Sequence, residues 1–189
     1  MSRIPQAMVV LASEQLWPNI HGLVHWHQFE GGLSDLCIYH TEDESRSARL
    51  AARLKQLCES LYPGQISVHL HQSVGTPTPQ SFRQQFAAWR KKLPGRHWII
   101  NATGGLKPMS AGAFECARFP DTQVVYRELS GEWFTIRLSE EGFVAEPYSI
   151  SAFPPPKPMR FPFLFFSKHN GEFRRKPPSK PGNPHNRSR

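Results

Sequence analysis

Residues 97–114, HWIINATGGLKPMSAGAF, change character twice. The apolar run His97–Asn101 reads as a strand. Asn101-Ala102-Thr103-Gly104-Gly105-Leu106-Lys107 is polar and rich in glycine. From Pro108 a run of small residues suits a helix, expected over Pro108–Arg118. Proline near the first turn loses nothing there, because its missing N–H would have no partner inside the helix. A strand that breaks at glycines and opens into a helix is the repeating unit of a parallel α/β sheet.

The same alternation extends outward in both directions. Strands are expected at Ala7–Ala12, Ser34–Tyr39, Ile66–His71 and Gln123–Arg127, all rich in Val, Ile or aromatics. Helices are expected between them. Trp17–Gln28 carries Pro18 near its start, and Glu44–Tyr62 sets Leu50, Leu54, Leu57 and Leu61 on one face. Pro79–Leu93 packs through Phe82, Phe86, Trp89 and Leu93, with Thr78 placed as its cap. Five strands separated by helices predict a mostly parallel sheet covered on both faces. After Arg127, ELSGEW is a turn, and Trp133–Leu138 alternates as a hairpin partner does.

Charge divides the chain at the same place as composition. The whole carries +8, yet residues 1–156 hold 14 basic and 14 acidic side chains. Residues 157–189 hold nine basic side chains and one acid, Glu172. Half of the 18 prolines lie from Pro154 onward. The expected organisation is therefore a ligand-binding domain over 1–150 and a Pro-rich basic tail over 151–189, whose low hydrophobicity predicts disorder. Arg174, Arg175 and Lys176 in that tail are the segment able to touch nucleic acid or an acidic partner, although basic termini are often only solvated. A near-neutral domain is not the footprint of a duplex binder.

Cys37, Cys58 and Cys116 are far apart and form no CxxC pair, so they read as buried reduced thiols of a cytoplasmic protein. The start, MSRIPQAMVVLASEQ, turns polar too soon for a signal peptide, and no apolar window approaches the ~20 residues of a membrane span. The HxH pairs His25/His27 and His69/His71 invite a metal. The first pair falls in a helix, where that spacing diverges, and neither has a matching third ligand, so surface or edge histidines and no metal are expected. Trp89-Arg90-Lys91-Lys92 reads as cations complementing a helix C-terminus.

The polar loop at 101–107 suits an anion. Gly104 and Gly105 let backbone amides approach a ligand, the helix after them offers unpaired N–H groups, Lys107 adds a charge and Thr103 a hydroxyl. Ligands of such sheets bind beyond the carboxyl ends of the strands, where the winding reverses. If the first strand is central with the fourth beside it, Ser13–Asn19 and Asn101–Lys107 meet there. The loop is neither GxGxxG nor GxxxxGK[ST], which removes the dinucleotide and NTP-hydrolysis fingerprints.

VVLASEQLWPNI after the first strand, IYHTEDESRSARLAARL after the second and INATGGLKPMSAGAF after the fourth resemble, in order and spacing over residues 6–150, a CARF domain. CARF is the CRISPR-associated Rossmann-fold sensor of cyclic oligoadenylates; the resemblance is to the subgroup fused to PD-(D/E)xK nucleases in type III systems. It implies a Rossmann-like sheet with a C-terminal β-hairpin, and a homodimer whose two Gly-Gly-x-Lys loops enclose a cyclic tetra-adenylate. Carried over, Thr103, Gly104, Gly105 and Lys107 contact phosphate and ribose. Ser13, Glu14, Gln15 and Asn19 line the base and ribose pocket. Thr41, Glu42 and Asp43 close the side, and Asn101 and Met109 complete the set. Leu106 departs from the family, which often has a small hydroxylated residue there.

Asp121 is the last aspartate, and no Asp…Glu-x-Lys set follows the sensor, so metal-dependent cleavage by this chain is not expected. The expected function is a cofactor-free binding module acting through a separate effector. The alternative is a metal-independent ring nuclease in which Lys107, Ser13 and Thr103 hold a ribose hydroxyl in line with its phosphate. A Rossmann-like domain for another nucleotide is a third reading.

Overall fold

The computed structural model describes residues 4–14, 16–42, 47–140 and 142–149. The expectations placed on Gln15, on Asp43 and on the 151–189 tail lie outside the described residues.

Seven strands form one sheet in the order β3-β2-β1-β4-β5-β6-β7. They are β1 (Gln6–Leu11), β2 (Leu33–His40), β3 (Ser67–Gln72), β4 (His97–Asn101), β5 (Thr122–Arg127), β6 (Trp133–Ser139) and β7 (Gly142–Tyr148). The pairs β1–β2, β1–β4, β2–β3 and β4–β5 are parallel; β5–β6 and β6–β7 are antiparallel. A Rossmann-like, mostly parallel sheet with a C-terminal hairpin is therefore the fold.

Helices cover both faces, which explains why β1 is apolar without alternation: Ala7 to Leu11 have no exposed surface. On one face, α1 (Leu16–Gln28) and α2 (Arg49–Leu61) bring Leu23, Trp26, Leu54 and Cys58 onto Met8, Val10, Leu36 and Ile38. On the other, α3 (Pro79–Lys92) and α4 (Lys107–Glu115) bring Phe82, Phe86, Met109 and Ala113 onto Val9, Leu11, Trp98 and Ile100. The closest approach of α3 to α4 is at Gly112, where an added Cβ would lie 2.6 Å from the Pro79 carbonyl oxygen. The expected cap of α3 is present: Ser81 N donates to Thr78 Oγ1 at 3.0 Å, and Thr78 N donates to Ser81 Oγ at 2.9 Å.

Four details differ from the sequence reading. Of the helix expected over Glu44–Tyr62, residues 44–46 lie outside the described residues, Ser47–Ala48 form a wider turn, and the α-helix runs from Arg49. The helix expected to reach Arg118 ends at Glu115 and tightens into a single 3-10 turn, Cys116–Arg118. The strand β7 was not foreseen. Its sequence GFVAEPY carries Pro147 and is mostly exposed, which is tolerable because it is an edge strand with one unpaired side. Finally, His25 is not at the surface: it is 1 % exposed, among Trp26, Phe29 and Tyr148. On edge strand β3, His69 Nε2 donates to Asp35 Oδ1 at 2.9 Å, and His71 stacks on Tyr39.

All three cysteines are free and buried, and burial pushes the Cys58 and Cys116 thiols up to about 12. Trp89 is a core residue, and the neighbouring Arg90 pairs with Asp121 while lying over the Phe119 ring. Among the described residues no helix is long and apolar enough to cross a membrane, and no group of three metal-ligating side chains occurs.

Candidate ligand site at the switch point of the sheet

The chain winds from β1 through β2 to β3 on one side, then returns to place β4 on the other side of β1. The crevice beyond the carboxyl ends of β1 and β4 is the point where helices change face, and loops cannot fill it.

Side-chain amides fix the two loops that flank it. Asn101, fully buried, donates Nδ2–H to the Pro18 carbonyl at 3.1 Å and accepts the Thr103 N–H on Oδ1 at 3.1 Å. Asn19, also fully buried, donates Nδ2–H to the Leu11 carbonyl at 3.0 Å. Thr103 Oγ1 accepts the Arg127 N–H at 2.9 Å, and Ser110 Oγ lies within hydrogen-bond reach of the Ala102 and Gly104 carbonyls. The loop is thus held from β5, from α1 and from its own helix.

The glycines answer a packing demand. A Cβ on Gly104 would sit 2.3 Å from the Leu11 carbonyl oxygen and 3.0 Å from Ser13 Oγ. Gly105 has φ +82°, and its Cβ would sit 2.8 Å from Leu11 Cβ. Both let the β4 loop lie directly on the end of β1.

An open cavity of about 800 Å³ results, within the usual range for small-ligand sites. Four strand-end loops line it: Ser13 and Glu14 after β1, Thr41, Glu42 and Ser47 after β2, Gly75 to Pro77 after β3, and Thr103 to Leu106 after β4. Ser47 closes the wall between β1 and β2, accepting the Thr41 N–H and donating to the Ala12 carbonyl, both at 3.1 Å. Glu42 Oε1 accepts the Gly75 N–H at 3.1 Å and so joins the β2 and β3 loops.

Of the residues proposed from sequence, Ser13, Glu14, Thr41, Glu42, Thr103, Gly104 and Gly105 meet at the cavity. Asn19, Asn101 and Met109 are buried beneath it; Met109 Sδ accepts the Leu106 N–H at 3.3 Å. Lys107 is exposed at the first residue of α4, outside the lining. The residue before it, Leu106, occupies the cap position in extended conformation without a side-chain hydrogen bond, so no hydroxyl closes this helix start. Sequence reasoning missed Ser47 and the third loop. That loop, SVGTPTPQ, carries the available signal: a polar Gly/Pro turn at the carboxyl end of a parallel strand.

No protein-family model matches the chain, and no curated protein matches it in sequence. Solved structures do match. Can2 from Sulfobacillus thermosulfidooxidans, in complex with cyclic tetra-adenylate, superposes with a TM-score of 0.54 at 16% identity over 77% of this chain and 37% of that one. Enterococcus italicus Csm6 bound to cyclic hexa-2'-fluoro-hexa-dAMP gives 0.51 at 13% identity over 66% of this chain and 33% of that one. A type III CRISPR defence DNA nuclease activated by cyclic oligoadenylate gives 0.50 at 19% identity over 71% of this chain and 20% of that one. The likeness is one of fold. In each case this chain spans well under half the length of the structure it matches.

Proposed function

We propose that the protein binds a cyclic oligoadenylate second messenger, cyclic tetra-adenylate in the first instance, as a CARF-type sensor in type III CRISPR antiviral defence. One observation carries this reading: four strand-end loops converge on one cavity at the switch point, bounded on one side by the Gly104-Gly105 loop, with α4 beginning just beyond it. That the fold is shared with proteins solved with or activated by cyclic oligoadenylates supports it.

In this reading two copies associate so that their Gly-Gly-x-Lys loops face each other across a two-fold axis, and a ring of phosphates meets two Lys107 ammonium groups and two helix starts. The Lys107 charge and the positive end of the α4 dipole neutralise phosphate without a metal; Pro108 has no N–H, and those of Met109 and Ser110 are taken by the Leu106 carbonyl. Gln15 belongs to the proposed contact set through the resemblance. The 1–150 domain is the sensor, residues 151–189 are an appendage able to engage nucleic acid or an acidic partner, and the response passes to a separate effector in the cytoplasm.

The test is incubation of the purified protein with radiolabelled cyclic tetra-adenylate, followed by filter retention and chromatography. Retention of intact ring, lost in Lys107→Ala, is the expected result. Conversion to linear di-adenylate would make the protein a ring nuclease instead, and absence of binding at micromolar protein would overturn both readings. Sedimentation with and without ring tests the dimer.

A further inference from the structure

The cavity is chemically one-sided. Among its described lining residues there are two carboxylates, Glu14 and Glu42, and hydroxyls from Ser13, Thr41, Ser47, Thr76 and Thr103, but no lysine, arginine or histidine. Two carboxylates in such a pocket repel a phosphate and attract hydrogen-bond donors. The cation, Lys107, and the open start of α4 stand outside the lining, beyond Leu106. A nucleotide that uses both regions must turn its donors inward and its phosphate outward.

Resting on the reading of the site given above, we propose that each cavity takes the nucleoside portion of the ligand, with Glu42 as the residue that reads the exocyclic amine of adenine. Glu42 is suited to this by its fixed geometry. One oxygen, Oε1, is held by the Gly75 N–H at 3.1 Å, which orients the carboxylate across the mouth between the β2 and β3 loops. The other oxygen is an acceptor, as is every lone pair of an ionised carboxylate. Adenine offers an amine there; at the same position hypoxanthine offers a carbonyl oxygen, which the carboxylate repels, and its own N–H donor lies one ring position away, at N1. Glu42 is exposed before ligand binds, so discrimination arises in the complex, where a base laid over the carboxylate excludes water and an analogue without the donor leaves that oxygen unpaired. Glu42 is therefore a specificity residue, and the ribose hydroxyls face Ser13 and Thr41.

The experiment compares cyclic tetra-adenylate with cyclic tetra-inosinate by equilibrium binding to the full chain and to Glu42→Gln. The wild type is expected to bind the adenylate ring about 10-fold or more tightly than the inosinate ring, the equivalent of one lost bond to a charged acceptor. Glu42→Gln keeps an oxygen for Gly75 and presents an amide N–H₂ to the base, so the preference is expected to shrink or invert. Thermal unfolding of the variant serves to show that its fold is intact. Equal binding of both rings by the wild type, or an unchanged preference in Glu42→Gln, would overturn the role of Glu42 while leaving the cyclic oligoadenylate reading in place. Failure of the wild type to bind either ring would overturn that reading and this inference together.

Discussion

The Asn101 side chain donates to the carbonyl oxygen of Pro18 at 3.1 Å, joining the end of β4 to the first turn of α1 across 83 positions of sequence. The same side chain receives the Thr103 N–H. Asn101→Ala removes a donor from the Pro18 carbonyl and the acceptor of the Thr103 N–H, for a loss of about 1–3 kcal/mol of stability. Urea unfolding is the measurement. Asn101→Asp retains the acceptor for Thr103 and loses only the donor, so comparing the two variants separates the contacts.

Gly104 and Gly75 should respond differently to the same substitution. Gly104→Ala drives a methyl against the Leu11 carbonyl, a backbone atom that cannot swing away, so overpacking of about 1–3 kcal/mol is expected together with displacement of the loop. A Cβ on Gly75 meets nothing within 4 Å, but its φ of +67° strains any L-residue, for about 1 kcal/mol. Paired denaturation midpoints check the order. A Gly104 variant as stable as the wild type would mean that the β1 and β4 ends do not touch.

Lys107→Ala removes an exposed cation at a helix start, so stability should change by no more than about 0.5 kcal/mol. Affinity for an anionic ring should fall, and its salt dependence should become shallower, because one fewer counter-charge meets the phosphates. Titrations at two ionic strengths read both effects.

Stability should decline with acid in two steps. For His25, burial lowers the imidazole below its usual value despite the opposing pull of Glu30. Below about pH 6.5 the unfolded chain therefore takes up a proton before the folded one, and stability falls. For Asp35, burial alone would raise the carboxyl, yet hydrogen bonds from His69, Ser34 and Arg96, with the Arg96 charge, hold it below the ordinary range. Its contribution is complete above about pH 4 and is lost as pH falls through the folded value. His25→Leu should flatten the upper step and Asp35→Asn the lower one, in melting temperatures measured across acid pH.

The fold was legible where apolar runs were long. His97–Asn101 was placed to the residue, because a fully buried strand between two helix layers shows no alternation and ends sharply at its glycines. β7 was not, because its Phe143, Val144 and Tyr148 do not alternate with polar residues and Pro147 interrupts them, as an exposed edge strand tolerates. His25 looked like a surface residue since histidine's identity says nothing about which helix face it occupies; Trp26 and Tyr148 bury it. In the site, spacing identified the two loops at the switch point but not the division of labour within them. Asn19 and Asn101 look like ligand contacts in sequence, and in the fold their amides hold backbone carbonyls. Ser47 was invisible for the opposite reason: its hydroxyl acts on Thr41 and Ala12, partners that only the parallel pairing of β1 with β2 brings near.

The pairing of β1 with β4 joins Gln6 to His97, and this long span governs when the cavity can exist at all. Ser13 and Thr41 leave the ribosome well before Thr103 and Gly104, and β4 supplies the second neighbour of β1. Contacts so distant in sequence form slowly, after the local helices. The pocket is therefore among the last features to mature, and an amino-terminal fragment ending before Asn101 lacks one wall of it. Any ligand that needs all four walls of this cavity is therefore held only after β4 has paired with β1.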